Sequence, residues 1–305
     1  MKKIFGILLA LGMSVAAIAQ THKIELNLTK GKVYTLNSYV KSEINQTING
    51  QANKIQMAIG GKMSFKVLEN TNAVYNIAVW YDRLSMRMKL PNGVFEFSSN
   101  KKSDKDFISA MLAAVTDKSF FIRMSTKGKV LEVVGIDSLF SNMVDQFPQI
   151  GEEQKKQIQK QIMQSYGADA FKGQLEMTFA ILPSGPVSLG DTWKIKTKLE
   201  SGMAANVESH YTLKEVTDSF YIISGNSKIA TVDNNDYIEI NGMPVRYDLN
   251  GTQQSIIQVS RITGWVIEGR SDQMMQGVSH IKDCPKMPGG ISIPMVMKNE
   301  TTITD

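Results

Sequence analysis

The chain of 305 residues is predicted to be mainly β with minor α: a duplicated antiparallel β-unit forms a long curved, half-barrel-like sheet. About three helices are predicted to cover part of the concave face of this sheet. Three observations predict this fold. Apolar and polar residues alternate with a period of two over most of the chain, as in strands with one buried face. Asn- and Gly-containing turn signals separate these runs, and four segments recur in the same order in the two halves of the sequence.

The first 19 residues are predicted to be a signal peptide cleaved after Ala19. Lys2 and Lys3 precede a short apolar run, and Ala17 and Ala19 provide the small residues that a signal peptidase requires. The apolar run is too short to span a bilayer comfortably. Gln20 follows the cleavage point, where a bacterial lipoprotein would carry cysteine. We therefore expect a soluble periplasmic or secreted protein that is neither lipid-tethered nor membrane-spanning.

The charge of the chain is modest and its basic residues are expected to be dispersed. Without Lys2 and Lys3 the formal net charge falls from +5 to +3, from 32 Lys and Arg against 29 Asp and Glu. Lys194, Lys196 and Lys198, for example, alternate along one face of a predicted strand. A nucleic-acid-binding surface needs a clustered basic patch. We therefore expect no nucleic-acid partner.

The repeat divides the mature chain into a first β repeat at 20–135, a helical connector at 136–172 and a second β repeat with a C-terminal strand at 173–305. In the first repeat, apolar residues occupy the odd positions from Ile55 to Val67. The matching segments begin at Gly31 and Gly190, Met63 and Tyr211, Asn92 and Asn241, and Ser119 and Ser255. The last pair aligns Gly128 with Gly264. Because alternation by itself does not align such glycines, duplication is the preferred explanation.

Three helices are predicted between the strands. One lies in an insert near 103–116, where Ser103 is the expected N-cap. A second begins at Ile136 and ends before Pro148. A third starts near Glu152 and ends near Gly167, where glycine favours termination.

The predicted strands are long, and long strands twist and bend. The concave face is therefore expected to present a wide apolar strip that few helices cover, and uncovered apolar surfaces often mark binding sites. We expect a hydrophobic small molecule or lipid to bind there. The candidate ligand-binding residues are Met57, Ile59, Met63, Phe65, Phe107, Met111, Phe140, Met143, Trp193 and Ile195.

Several short motifs support a family resemblance. They are the signal peptide ending in Ala-Gln, KG-x-x-Y from Lys30, GDTW from Gly190 and TGW from Thr263. On these motifs the chain resembles a family of uncharacterised secreted or periplasmic β-proteins of Gram-negative bacteria, a domain of unknown function. The predicted outline is also similar to periplasmic lipoprotein-carrier half-barrels, by fold analogy alone. The family has no assigned activity, so the resemblance implies no functional residues.

The sequence contains no motif for catalysis, so we predict that the chain is not an enzyme, with no catalytic residue, metal or cofactor. His22 lies near the mature N-terminus, where chains tend to be poorly ordered. His210 is expected on a solvated sheet face, and His280 has no carboxylate or cysteine at metal-ligand spacing. The VDNNDYIE segment lacks the spacing of a calcium loop and is interpreted as a polar turn. Cys284 is the single cysteine, which excludes an internal disulfide; it is either buried or paired with another chain. Two alternatives stay open: an envelope protein–protein interaction module and a secreted hydrolase.

Overall fold

The computed structural model describes residues 20–90, 93–100, 106–200, 203–232 and 236–305. Within these ranges, 13 strands form one antiparallel sheet that does not close on itself. The predicted mainly β fold with a curved open sheet is confirmed. The predicted signal peptide, the expected cap Ser103 and the turn at 233–235 lie outside the described residues.

The structure assigns the following bounds. The strands are β1 (Val33–Ile48), β2 (Gln51–Thr71), β3 (Val74–Leu90), β4 (Gly93–Ser98), β5 (Phe120–Ser125), β6 (Val130–Val134), β7 (Thr192–Leu199), β8 (Ala205–Val216), β9 (Phe220–Thr231), β10 (Ile238–Ile240), β11 (Met243–Ser260), β12 (Val266–Ile281) and β13 (Ile291–Thr304). The helices are α1 (Phe107–Val115), α2 (Ile136–Asp145), α3 (Glu152–Tyr166) and α4 (Ala168–Phe179).

The sheet consists of two halves with the same strand order. Its path is β6-β5-β3-β2-β1-β13-β12-β11-β9-β8-β7, with β4 beside β3 and β10 beside β11. The first half thus has the order β1-β2-β3-β5-β6, and the second half has the order β7-β8-β9-β11-β12. β13 pairs with both β1 and β12. The C-terminal strand therefore joins the two halves at the centre of the sheet.

Three helices lie where the sequence predicts them, and a fourth follows directly. Asp106 caps α1, since its carboxylate accepts a hydrogen bond of 3.0 Å from the Ser109 N–H. Gly167 separates α3 from α4 with an extended backbone. α4 continues to Phe179, beyond the connector boundary predicted at 172. No described helix is long and apolar enough to cross a membrane.

The main core lies at the end of the sheet where β1 begins, which we call the core end. Tyr34, Phe65, Val79 and Phe120 form a row across four neighbouring strands, and each is at most 5% exposed. The Phe65 ring meets Phe179 of α4 at a centroid distance of 6.0 Å. The helices α2 and α4 and the sheet thus bury one continuous apolar cluster.

The segment before β1 covers the core end. Leu26 and Leu28 are buried, and the hydroxyl of Tyr75 connects them. It donates to the Leu26 carbonyl oxygen at 3.0 Å and accepts from the Leu28 N–H at 3.1 Å. Because these two buried backbone groups are paired, the cost of removing them from water is offset.

Gly128 and Gly264, aligned in the repeat, occupy equivalent turns in the two halves. Both have positive φ, +76° and +65°. A Cβ at Gly128 would overlap the carbonyl oxygen of Phe179, and a Cβ at Gly264 would overlap that of Glu25. Each turn therefore needs glycine for its backbone conformation and for the close approach of another segment.

α4 contacts both edges of the open sheet, β6 and β7. At β6, the Glu176 carboxylate accepts a hydrogen bond of 3.1 Å from the Val130 N–H. At β7, a Cβ on Gly173 would lie 2.9 Å from the Lys198 carbonyl oxygen, so helix and strand are in direct backbone contact. Covering strand edges in this way limits pairing with other chains.

Candidate functional site

The inner face of the sheet is organised in rows of side chains that cross both halves, because in-register partners lie on the same face. Two rows lie just beyond the core. The nearer row contains Tyr211, Gly225, Ser255, Ser271, Thr301, Val40, Ile59, Met86 and Phe97. The farther row contains Ile195, Ser209, Ser227, Gln253, Gln273, Asn299, Ser42, Met57, Met88 and Phe95.

In the first half of the sheet these rows are apolar except for Ser42 of β1. We call this surface the apolar inner patch; it comprises Val40, Met57, Ile59, Met86, Met88, Phe95 and Phe97. Each of the seven side chains keeps part of its surface exposed, and none belongs to either buried core cluster or to the side chains packed against one. The patch is therefore apolar surface that the fold itself leaves partly uncovered.

Helix α1 lies beside the patch, in contact with β3 and β4. The fully buried Ser109 hydroxyl accepts from the Ser98 N–H at 2.9 Å and donates to Asp106 at 2.6 Å. The Phe107 ring meets the Phe147 ring edge-on, with centroids 4.8 Å apart. These contacts hold α1 next to β4 and give the patch a helical border.

In the second half the same two rows are mostly polar, apart from Ile195 and Tyr211 near the β7 edge and Gly225. The polar inner belt runs from β1 across β13 into the second half and comprises Ser42, Ser209, Ser227, Gln253, Ser255, Ser271, Gln273, Asn299 and Thr301. The wide apolar strip expected over the whole concave face is therefore wrong for this half. Each strand still alternates, but its inward positions here carry hydroxyl and amide side chains.

Some of the polar groups of the belt form hydrogen bonds with one another. The Oγ atoms of Ser209 and Ser227 lie 2.7 Å apart, and Asn299 Nδ2 donates to Gln273 Oε1 at 2.5 Å. Asn299 Oδ1 is buried and has no hydrogen-bond partner among the described residues. A cavity of about 40 Å³ lies between the belt and Met177 of α4.

Beyond the belt, the second half closes into a smaller apolar cluster. Its buried members are Ala205, Val207, Ile229, Leu249, Met275 and Met295. Met177 of α4 packs against this cluster. Beyond the core end, the inner face of the second half therefore buries apolar side chains, whereas that of the first half leaves the apolar inner patch partly exposed.

The structure divides the ten candidate ligand-binding residues into four groups. Buried in the core, at 0%, 7% and 3% exposure, are Phe65, Phe140 and Met143. Packed against the core are Met63, Met111, Trp193 and Ile195. In the apolar inner patch are Met57 and Ile59. Beside the patch, on α1, is Phe107. The three buried residues present almost no surface to a ligand. Met57 and Ile59 keep part of their surface exposed and are accessible to one.

Five patch residues are absent from the candidates: Val40 of β1, and Met86, Met88, Phe95 and Phe97 of β3 and β4. The signal for the residues of β3 and β4 is the period-two alternation in the segments MRMKL and VFEF. That pattern predicts strands but leaves open which neighbours they pair with. Only the pairing of β3 with β2 and β4 places them beside Met57 and Ile59.

His210 lies on the outer face of β8 in a charged cluster. Its Nε2 is 3.4 Å from Glu208 Oε1, and Lys196 and Lys194 lie 3.5 and 3.8 Å from the same carboxylate. The hydrogen bond with His210, followed by the charges of the two lysines, lowers the pKa of Glu208. This cluster is an exposed ion-pair network, and such networks also shift pKa values without catalysis.

The other two histidines lie elsewhere in the fold. His22 is buried, and its ring packs against Tyr221 at 5.5 Å. The Nδ1 atom of His280 lies 2.9 Å from Ser292 Oγ on the cross-strand neighbour. Within the described ranges, no group of three His, Cys, Asp or Glu residues could hold a metal ion.

Three solved structures show distant similarity. A structure of lipovitellin, entitled "Lipid-protein interactions in lipovitellin", is 10% identical and matches 91% of this chain with a TM-score of 0.45, but the match spans only a quarter (25%) of the lipovitellin chain. An outer membrane channel from Pseudomonas putida F1 is 9% identical over 92% of this chain and 97% of its own, with a TM-score of 0.27. Salmonella typhi OmpF in complex with daunomycin is 8% identical over 92% of this chain and 99% of its own, with a TM-score of 0.22. These scores are too low to transfer a function.

No curated protein sequence matches the chain significantly. The model of a protein family described as a family of unknown function (DUF6263) matches residues 72–266. This range runs from the β2–β3 turn to the start of β12 and covers more than half of the 305 residues. This match agrees with the resemblance to an uncharacterised β-protein family that the short motifs indicate. The chain therefore belongs to this family of unknown function, DUF6263.

Proposed function

We propose that this chain is a non-enzymatic protein that binds an apolar ligand, such as a lipid or an acyl chain, on the apolar inner patch. One observation carries the proposal: seven inward-facing apolar side chains of β1 to β4 stay partly exposed outside both core clusters. Contiguous exposed apolar surface on a folded protein commonly marks a ligand or partner site.

The physical driving force is burial of apolar surface. Covering about 200 Å² of the patch would contribute about 5 kcal/mol at 25 cal/mol per Å². Met57, Met86 and Met88 supply three flexible thioether side chains, which adapt to ligands of different shape. An acyl chain, which is itself flexible and apolar, fits these properties.

The border with the polar inner belt favours an amphipathic ligand. Ser42 pairs directly with Met57 on one side and with Asn299 on the other. Asn299 Oδ1 is an acceptor with no partner among the described residues. A ligand with an apolar tail on the patch would place a neutral hydroxyl or amide group beside the belt.

Two further observations support a role without catalysis in a soluble, exported protein. The three histidines lie in different parts of the fold, and the described acidic residues, Cys284 and the histidines form no metal-binding group. The predicted signal peptide supports export to the periplasm or beyond. Periplasmic or secreted location is part of this proposal.

The test is native mass spectrometry after mild extraction, together with displacement of a fluorescent fatty-acid probe. We expect a co-purifying lipid and probe binding in the wild type. The variant M57Q/M88Q replaces two adjacent patch residues with polar side chains of similar length, and should weaken probe binding about tenfold or more. The matched control K62Q/K89Q changes outward residues on the same two strands and should bind like the wild type.

The proposal fails if the wild type carries no lipid and binds no probe, or if both variants lose binding equally. Light scattering distinguishes lipid binding from the main alternative, a protein–protein interaction through the patch. A stable dimer that M57Q/M88Q disrupts, without any probe binding, would identify the patch as a protein–protein contact. Circular dichroism of both variants checks that their fold is intact.

A further inference from the structure

A groove of about 450 Å³ lies between α4 and the edge strand β7, with the β5–β6 turn at its margin. It is separate from the apolar inner patch, which belongs to the first half of the sheet. Its volume falls within the range of about 300–1,000 Å³ that is usual for small-molecule sites.

Six lysines line this groove and come from three separate elements. They are Lys127 and Lys129 of the β5–β6 turn, Lys172 of α4, and Lys194, Lys196 and Lys198 of β7. The expectation that the basic residues are dispersed is therefore wrong here, since the fold gathers distant lysines. Three acidic residues accompany them, which leaves a formal charge of +3 on the lining (six positive, three negative).

Half of the lysines are free to bind a ligand. Lys129, Lys172 and Lys198 make no ion pair within the described part of the chain. Among the acidic residues, Glu176 already accepts the Val130 N–H. Glu25 and Glu208, which lie outside the lining, form ion pairs with Lys127, Lys194 and Lys196. Anion binding in the groove therefore depends on the three unpaired lysines.

The groove also has an apolar wall. Trp193 and Ile195, which keep part of their surface exposed, contribute to its lining, whereas the lining residue Leu182 is buried at 4% exposure. The indole N–H of Trp193 donates to the Ile181 carbonyl oxygen at 2.8 Å, so the ring offers the groove its apolar surface. A ligand that fits must combine negative charge with an apolar body.

Lysines on an edge strand commonly prevent pairing with other chains. This explains Lys194, Lys196 and Lys198, but Lys129 and Lys172 lie on the opposite wall. Addition of an acidic peptide strand to β7 is also disfavoured. Gly173 of α4 is in backbone contact with Lys198, so the edge is obstructed there.

We infer that this groove binds a phosphate-bearing ligand with an apolar body. A phosphate monoester carries a charge of about −1.5 to −2 and three acceptor oxygens, and the phosphodiester of a lipid headgroup carries a single negative charge. Lysines on two walls can donate to either group as mobile point charges. The phosphate could belong to a lipid headgroup or to a soluble phosphorylated compound. Both sources share this chemistry.

Calorimetric titration of the mature chain with inorganic pyrophosphate tests the inference. We expect saturable binding by the wild type. The variant K129Q/K172Q/K198Q removes the three unpaired lysines and should bind at least about tenfold more weakly. The matched control K62Q/K66Q/K89Q removes the same charge from the outer face of β2 and β3, and should stay within about twofold of the wild type.

Cosedimentation with phosphatidylglycerol vesicles, against phosphatidylcholine vesicles, distinguishes the sources. Cosedimentation with phosphatidylglycerol vesicles indicates a lipid headgroup if pyrophosphate inhibits it. Binding of pyrophosphate without cosedimentation indicates a soluble ligand. No saturable binding of pyrophosphate by the wild type, or equal weakening in both triple variants, overturns the inference. These results are independent of fatty-acid probe binding at Met57 and Met88.

Discussion

The two halves of the sheet have the same strand order but opposite inner-face chemistry. In one continuous row, the first half carries Met57, Met88 and Phe95, whereas the second half carries Ser227 and Gln253 at the corresponding distance from the core. Both halves bury their core ends in the same apolar cluster. The comparison teaches that the strand order sets the architecture, while the inward residues beyond the core decide what each half can bind.

The largest expected effect tests whether the halves are equivalent at their turns. We expect Gly128→Ala and Gly264→Ala each to lower the free energy of unfolding by about 3 kcal/mol or more, because a Cβ would overlap a carbonyl oxygen at positive φ. Gly31→Ala is the control, since its φ is +81° but no atom lies within 4 Å. It should cost only the left-handed strain, about 1–2 kcal/mol.

Chemical denaturation measures all three variants. One of the two turn variants could lose about 3 kcal/mol of unfolding free energy while the other loses no more than Gly31→Ala. The two turns would then not be equivalent. That result would break the comparison between the halves at its structural level.

A smaller effect concerns the polar inner belt. Ser209 and Ser227 are 2% and 5% exposed and share one hydrogen bond. Ser209→Ala leaves the buried Ser227 hydroxyl without this partner, at a cost of about 1–3 kcal/mol. Ser227→Ala should cost less, because Ser209 also has a side-chain hydrogen bond with Tyr211. The double variant S209A/S227A should cost less than the sum of the singles, because it leaves neither hydroxyl behind. Ser42→Ala, in the same row but on β1 of the first half, should stay within about 0.5 kcal/mol.

A double-mutant cycle from denaturant unfolding provides this measurement. Strictly additive effects of S209A and S227A would mean that the hydrogen bond does not hold the belt together. The polar chemistry of the second half would then need another explanation.

The smallest effect compares two carboxylates in the same outer row, Glu43 in the first half and Glu208 in the second. Hydrogen bonds from Lys54, then Asn45 and Gln56, lower the pKa of Glu43 from its ordinary 4.5 to about 2. Since the folded state holds this carboxylate ionised, its contribution is complete above pH 4.5 and is lost as the pH falls towards 2. Both groups are exposed, so solvent screening keeps the contributions small.

Acid unfolding of E43Q and E208Q measures this comparison. E43Q should unfold with a flatter dependence on pH between about 4.5 and 2 than the wild type. E208Q should change the dependence in the same direction, because the pKa of Glu208 is also lowered. An unchanged slope in E43Q would contradict the contribution of Lys54.

Much of the fold follows from local patterns in the chain. The alternation from Ile55 to Val67 places odd residues inward along β2, as found. The helix from Glu152 to Tyr166 matches its predicted limits within one residue. The spacing of apolar residues indicates which side chains share a face, and the residues at a helix end indicate where it stops. Both can therefore be predicted without knowing which segments pack together.

The candidate site could be predicted only in part. The sequence predicts Met57, Ile59 and Phe65 alike as ligand-binding residues, although Phe65 is buried in the core. All three continue one alternating pattern. The pattern shows that they face inward, whereas burial depends on α2, α4 and the segment before β1, which bury Phe65 in the core cluster but do not include Met57 or Ile59 in it.

The amino-acid pattern therefore established the β-rich class, the inward and outward faces and the turn glycines, since these depend on neighbours within a few residues. Long-range pairing established the rest. β13 joins the halves, α4 contacts both sheet edges, Gln273 meets Asn299, and Lys129 faces Lys198 across a groove. Each of these contacts depends on strand register or helix placement between segments far apart in the chain. No periodicity encodes that placement, because it emerges from burial of the whole core at once.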